Sequence, residues 1–394
     1  LERGLRSSAA PGGDGGKRRR LRRTRAWWRR WRLPVLAVVA VFVAVVGWSV
    51  GNALTAPGGG SLSDRLAEWA RDHYLGPVVT FGEWLTYQPP KVGGKPSFAL
   101  TGPAAVPVKP VKVQATPAPS PQQLHTLASG APLPGEGKWR VLATVHGEPA
   151  VYGTELRFSP IYTSYVGGIA WFNQKLVKFQ LRPGTEDPGP GNWHAEPYLP
   201  TGTRRGLVAT FNSGFKIANS GGGFYLHGSY DGALVRGEAS VVYYRDGHIT
   251  IGNWGETVHR TPDVVGVRQN LHLIVNQGHI PDAVNNAVNT SWGATLGGGY
   301  YVWRSGIGET RSGQIVFAYG PALDVHQLAQ LLQRAGAYRA MELDINPAWM
   351  SFMYYLPRAH PANPTPENLL PDQQQPADRY YYYSGRDFTA VYAR

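Results

Sequence analysis

The chain is 394 residues long, 42% hydrophobic and 12% aromatic, enough for one large or two ordinary cores and too aromatic to be disordered throughout. With 0 Cys it has no disulfide framework, no thiolate metal site and no cysteine nucleophile. Most of its formal net charge of +13 lies in residues 1–32, where 12 Lys+Arg against 2 acids give +10, leaving +3 for the other 362 residues and arguing against a nucleic-acid-binding body.

The basic tail takes its meaning from the apolar run after it. Residues 33–50 carry no charge, and 18 residues at about 1.5 Å rise each are just long enough to span a bilayer. Trp27, Trp28 and Trp31 sit where an interfacial belt belongs, with Trp48 near the far side. The sequence therefore predicts a cytoplasmic tail over 1–32 and a single-pass signal anchor over 33–54, with the rest of the chain extracytoplasmic. A cleaved signal peptide and a buried core helix are the competing readings, but the run is not followed by a clean A-x-A site and its flanks are wrong for a core helix.

Residues 61–88 read as one or two short juxtamembrane amphipathic helices. Leu62, Leu66 and Trp69 recur at helical spacing, Ser61 with Asp64 can cap the first turn, and Gly76-Pro77 interrupts the pattern. They either pack on the protein or recruit a partner. Residues 88–135 hold 11 prolines and no periodic apolar face, which predicts a Pro-rich linker over 89–135. Extended at about 3.1 Å per residue, such a spacer could hold a domain on the order of 100 Å from the membrane.

Residues 136–394 read as a β-predominant α+β domain. Strand signals cover 139–146, 151–158, 169–172, 176–181, 241–244, 249–251, 264–267, 271–275, 300–303 and 315–319. Asn173-Gln174 and Asp246-Gly247 each separate two strands as hairpin turns would. One helix is clear, with Asp324 as N-cap, an apolar stripe at Val325, Leu328, Leu331 and Leu332, and Gly336 as C-cap. A strand over 338–345 comes next. Residues 357–376, again proline-rich, are either a lid or a surface loop.

Three segments carry candidate chemistry. A strand ending in Asn212-Ser213-Gly214, with Lys216 beyond it, exposes backbone amides, a side-chain amide and a point charge suited to a phosphate; an ordinary β-turn uses the same residues. Residues 297–308 set Arg304 among glycines, as bidentate anion recognition would want, though not as a P-loop. In Met341-Glu342-Leu343-Asp344-Ile345, alternation turns the apolar residues to the core and both carboxylates to the other face, roughly 6–7 Å apart. Carboxylates so placed can split their pKa values into an acid and a base or nucleophile.

The order of these segments resembles the phosphodiester glycosidase family over about residues 139–355. Asn212, Gly214 and Phe215 are similar to the family's Asn-x-Gly-Phe turn, Arg304-Ser305-Gly306-Ile307-Gly308 to its Arg-x-x-x-Gly segment, and Leu343-Asp344 to the start of its Leu-Asp-Gly-Gly-Gly-Ser strand end. Ile345-Asn346-Pro347-Ala348-Trp349 replaces the glycines and serine, which puts close backbone approach to a ligand in doubt. The resemblance implies hydrolysis of a sugar phosphodiester or related anionic envelope glycan, such as the exopolysaccharides linked with bacterial relatives.

On that expectation Asp344 is catalytic with Glu342 as its partner. Lys216 and Arg304 hold phosphate, and Asn212, Gly214 and Asn346 orient the sugar. Trp349, with Trp292 and Trp303, offers stacking faces. His227 and His279 are spare acid–base candidates. The sequence implies no cofactor, and no His/Asp/Glu spacing argues for a metal. The alternative is a non-catalytic envelope module on the same fold that binds glycan or protein.

Overall fold

A computed structural model describes residues 15–55 (backbone only for 15–30), 61–100, 119–285, 291–293, 295, 299–357 and 362–394. The chain divides into two units, Leu1–Ala56 and Pro57–Arg394. The first holds helix α1, Gly15–Thr55. Its Trp31–Thr55 stretch is, among the described residues, the one helix long and apolar enough to cross a membrane by length and composition, compatible with an anchor or a signal sequence. Val38, Phe42 and Trp48 leave 69, 67 and 71% of their surface exposed, so the apolar side chains have no protein core to enter. Residues 1–14 of the basic tail lie outside the described residues.

The second unit opens with α2 (Leu62–Ala70), where Ser61 and Asp64 form the expected reciprocal cap. The chain kinks at Arg71–Leu75, with Tyr74 at φ 64°, and resumes as α3 (Gly76–Thr86). The flanks of the proline-rich stretch pack on the domain instead of extending from it. Leu100 and Leu124 are buried, Thr163 donates to the Gly94 carbonyl, and Trp139 Nε1 donates to the Gln122 carbonyl. Residues 101–118, the middle of the expected spacer, lie outside the described residues.

Strands dominate thereafter, in three antiparallel sheets. The first contains β1 (Arg140–Val145), β2 (Glu148–Arg157), β3 (Val166–Phe172), β11 (Leu273–Val275), β12 (Val302–Thr310), β13 (Ile315–Leu323) and β14 (Ala337–Glu342), in the order β1-β2-β3-β13-β12-β14-β11. The second runs β7 (Ser229–Asp231), β6 (Phe224–Leu226), β10 (Val264–Gln269), β8 (Ala239–Tyr244), β9 (Ile249–Asn253). The third runs β16 (Thr365–Asn368), β15 (Phe352–Leu356), β5 (Leu207–Asn212), β17 (Phe388–Ala393), β4 (Val177–Arg182). A short α4 (Asp282–Asn285) and the expected helix, α5 (Val325–Arg334) with its Asp324–Gln327 capping box, complete the set.

Alternation along β13 explains the layers. Phe317 and Tyr319 point into a core shared with the third sheet, where the ring of Phe317 packs tilted against Phe211 and Phe352 at 4.9 and 5.5 Å. Val316 and Ala318 point the other way, under Leu328, Leu331 and Leu332 of α5. Gly306 lies inside β12, where an added Cβ would meet Met341 O and Leu332 Cδ1, each at 2.9 Å. It serves the packing of helix on sheet and not the ligand turn expected for residues 297–308.

Two local expectations are corrected. Asp246-Gly247 does turn β8 into β9, but Asn173-Gln174 is no hairpin tip, because β3 and β4 belong to different sheets. Gln174 is buried and clamps the crossing, accepting from Ile249 N and donating to Gly313 O. Within 357–376, β16 pairs with β15 and Leu369 and Leu370 are core, so the described part is fold and not a lid. Residues 358–361 lie outside the described residues.

Candidate active site

The site forms where the first and third sheets end side by side. β5 delivers Asn212 and Ser213, β12 delivers Arg304 and Ser305, and the chain leaving β14 delivers Asp344. Asn212 Nδ2 donates to Ser305 Oγ at 2.9 Å, and Ser305 Oγ donates to Asp344 O at 2.8 Å. Asp344 N donates to Ser213 O at 3.1 Å, while Ser305 N donates to Asp344 O at 3.2 Å. The Asp344 backbone is thus tied to both sheets at once, and its carboxylate is aimed by the two together. Asn346 N donates to Asp344 Oδ1 at 2.9 Å, and Asn346 Oδ1 accepts from Ala348 N, so two successive Asx turns shape the loop after Asp344.

The residues expected at the site separate into two groups. Asp344, Asn346, Trp349 and Lys216 line a cavity of about 730 Å³. Asn212, Arg304 and Glu342 are buried, and none of the three is among the described residues that line it. Asn212 is spent on Ser213 O, Ser305 Oγ and Ser351 N. Arg304 donates to Glu342 Oε1 at 2.5 Å, to Leu323 O and to Trp292 O, so its Nε and Nη1 are committed to the protein in a buried side chain. Strand alternation alone would have put Glu342 beside Asp344 on a ligand face. The packing of β12 against β14 instead encloses Glu342 with Arg304.

Gly214 contributes its carbonyl, which accepts from Arg386 Nη2 at 3.2 Å, and a Cβ there would crowd Asn270 at 3.2 Å. Trp349 lines the cavity but is only 5% exposed, with the guanidinium groups of Arg379 and Arg386 5.1 and 5.6 Å from its ring. Trp292 is buried and Trp303 half-buried against the core. His227 and His279 occupy turns, and neither is among the described residues lining the cavity. Among the described residues no group of three or more His, Asp or Glu is placed to hold a metal ion.

Arg386 is the residue that sequence reasoning missed. Its Nη2 lies 3.3 Å from Asp344 Oδ2, its Nε 3.5 Å from Asp187 Oδ2 and its Nη1 3.9 Å from Glu68 Oε1. Beside it Arg268, fully buried, donates to Asp387 Oδ2 at 2.8 Å and to Phe215 O. The available signal was the charged pair Arg386-Asp387 opening the alternating segment of β17. Asn270 was missed as well; it accepts from Phe215 N and donates to Glu342 O at 2.9 Å, joining two of the three candidate segments.

Charge inside the cavity is balanced by α2 and the kink that follows it. Lys216 Nζ sits 2.8 Å from Glu68 Oε1 and 3.0 Å from Asp72 Oδ1. Burial works against the Lys216 ammonium, but these two carboxylates hold it above its ordinary pKa. Burial raises the Asp344 carboxyl above the usual range, with Arg386 opposing. Burial likewise pushes Glu342 up to about 7, against the pull of Arg304 and with a small push from Asp344. A raised carboxyl beside a guanidinium, in a cavity that an ammonium also lines, can exchange a proton while the cations grip an anion.

No protein-family model and no curated protein matches the chain. Among solved structures it is similar to the catalytic domain of zebrafish N-acetylglucosamine-1-phosphodiester alpha-N-acetylglucosaminidase auto-inhibited by its pro-peptide, at 13% identity and TM-score 0.40, over 65% of this chain and 88% of that one. A hypothetical protein from Synechocystis is similar at 12% identity and TM-score 0.33, over 64% of each chain. A Burkholderia pseudomallei protein described as exported is similar at 10% identity and TM-score 0.29, over 59% of this chain and 75% of that one.

Proposed function

We propose that the protein is a membrane-anchored hydrolase of the cell envelope that cleaves a sugar phosphodiester, or a related bond in an anionic glycan, with Asp344 as its reactive carboxylate. The reading is carried by the meeting of Asp344, Arg386 and Lys216 on one cavity of about 730 Å³, within the rough 300–1,000 Å³ span of small-molecule sites. A carboxyl raised by burial suits proton transfer to a leaving oxygen or attack at an anomeric carbon. Arg386, held by Asp187, Glu68 and Gly214 O, orients the Asp344 carboxylate and adds positive charge to the cavity wall, and Lys216 supplies the point charge that meets the anion. Asn346 orients a sugar hydroxyl. An incoming anion displaces Glu68 and Asp72 from Lys216, since those carboxylates stand where its oxygens would bind. The sequence resemblance to the phosphodiester glycosidases agrees with this chemistry.

The full chain in detergent should release sugar from an α-sugar-1-phosphodiester, and Asp344→Asn should slow that release about 10²–10⁴-fold with an unchanged circular dichroism spectrum. Full activity in the variant would remove Asp344 from the reaction. The pairing of Asp344 with Arg386, and of Lys216 with α2, favours a second reading as a non-catalytic glycan-binding module. Binding with no turnover over long incubation would establish that alternative.

A further inference from the structure

The helix α3 is inside out. Val78, Phe81, Trp84 and Leu85 leave 67, 59, 60 and 63% of their surface exposed, whereas Thr80 and Glu83 line the cavity and Tyr87 donates to Tyr301 O. Glu83, paired with Arg71, has only 21% of its side chain exposed. Positions 78, 81 and 85 recur at helical spacing along α3, and α2 adds Leu62 and Leu66 at 68 and 46% exposure. The rings of Phe81 and Trp84 stack at 6.0 Å, so the stripe is organised and not a scatter of single side chains. A helix resting on a water-soluble domain turns its apolar stripe inward. Here the domain side is a charged cavity, and the polar residues go there.

The place of the stripe in the chain says what covers it. Only residues 56–60 separate Thr55, the end of the membrane-length helix, from Ser61, the cap of α2. Fully extended, that link reaches about 20 Å. A chain leaving a bilayer at Thr55 therefore enters α2 close to the same lipid surface. The stripe also has the composition of a membrane interface, with Trp84, Tyr74 and Phe81 set among Val and Leu. We propose that α2 and α3 form a lipid-docking surface, their apolar stripe seated at the headgroup–acyl boundary of the bilayer that holds Trp31–Thr55. The inference rests on the reading of Trp31–Thr55 as an anchor. Because α3 also walls the cavity through Thr80 and Glu83, the membrane seat and the candidate site share one helix.

The absence of cysteine gives a clean test. The full chain carrying Phe81→Cys, Phe42→Cys or Tyr382→Cys is labelled with a nitroxide and reconstituted in phosphatidylcholine–phosphatidylglycerol vesicles. Collision with oxygen, which concentrates in lipid, is compared with collision with a water-soluble nickel chelate. Phe42 lies in the membrane-length helix, and Tyr382, 65% exposed, lies far along the chain on the domain surface. The label at 81 should behave like that at 42, favouring oxygen about threefold or more, and the label at 382 should favour nickel. A label at 42 in lipid with one at 81 in water refutes the docking surface and leaves the anchor standing. Labels at both 42 and 81 in water refute the anchor and the docking surface together. A label at 81 shielded from both reagents means that protein covers the stripe, and that also overturns the proposal. Phe81 is exposed, so its replacement should leave the circular dichroism spectrum unchanged.

Discussion

Replacing Arg386 by methionine tests the electrostatic account of the cavity. Methionine keeps most of the aliphatic volume beside Trp349 and removes the charge. At 3.3 Å from Asp344 and 3.5 Å from Asp187, each ion pair is worth about 5 kcal/mol of Coulomb attraction at an effective dielectric of about 20. The guanidinium's own desolvation cost offsets part of this, and removing one partner of a buried pair typically costs about 3–5 kcal/mol. Both carboxyls already sit above their ordinary pKa because they are buried, and Arg386 opposes that rise in each. Without it their folded-state pKa values climb further above the unfolded values. A carboxyl with a raised folded pKa favours the folded state below its unfolded pKa and loses that contribution as pH rises through the folded one. Arg386→Met should therefore cost about 3–5 kcal/mol at pH 8 and at least ~1 kcal/mol less at pH 5, one pKa unit being worth about that much. The assay is guanidinium unfolding of the full chain in detergent, monitored by tryptophan fluorescence at both pH values. Equal losses at the two pH values, or a loss below about 1 kcal/mol at pH 8, would refute the reasoning.

The same geometry has other consequences. Glu68→Gln with Asp72→Asn frees Lys216 and should tighten the binding of inorganic phosphate about tenfold, roughly 1.4 kcal/mol by calorimetry; an unchanged Kd would show that these two carboxylates do not compete for the cation. Glu342 should make the wild type lose stability as pH rises from 4.5 towards about 7, because its folded pKa is the higher one. Glu342→Gln should flatten that slope, and a slope that persists would assign it to other groups. Gly306→Ala places a Cβ against Met341 O and should cost about 1–3 kcal/mol, read as a lower denaturant midpoint at constant slope. A neutral result there would mean that α5 and β14 can separate freely.

The local grammar of the fold was legible because it depends on near neighbours. The Ser61 and Asp324 caps, the Asp246-Gly247 turn, the apolar stripe of α5 and the uncharged run ending near Thr55 each need only a few adjacent residues, and the structure has all of them. Asp344 could be singled out for the same reason, as a carboxylate closing an alternating strand.

Which faces are buried, and against what, needed the tertiary structure. Alternation put Glu342 and Asp344 on one side of a strand, but it could not say that β12 would seal Glu342 with Arg304 while the Asp344 carboxylate reached the cavity. Arg386 stands 42 positions beyond Asp344, just before the strand β17 of another sheet, and no local pattern links the two. The same holds for α2, whose amphipathic sequence is plain but whose charged side turns inward because Lys216 and Arg386 are there to receive it. Sequence by itself determined the elements and their caps. Ion pairs between distant segments decided the candidate site, since Coulomb attraction and desolvation act through space and leave no periodicity along the chain.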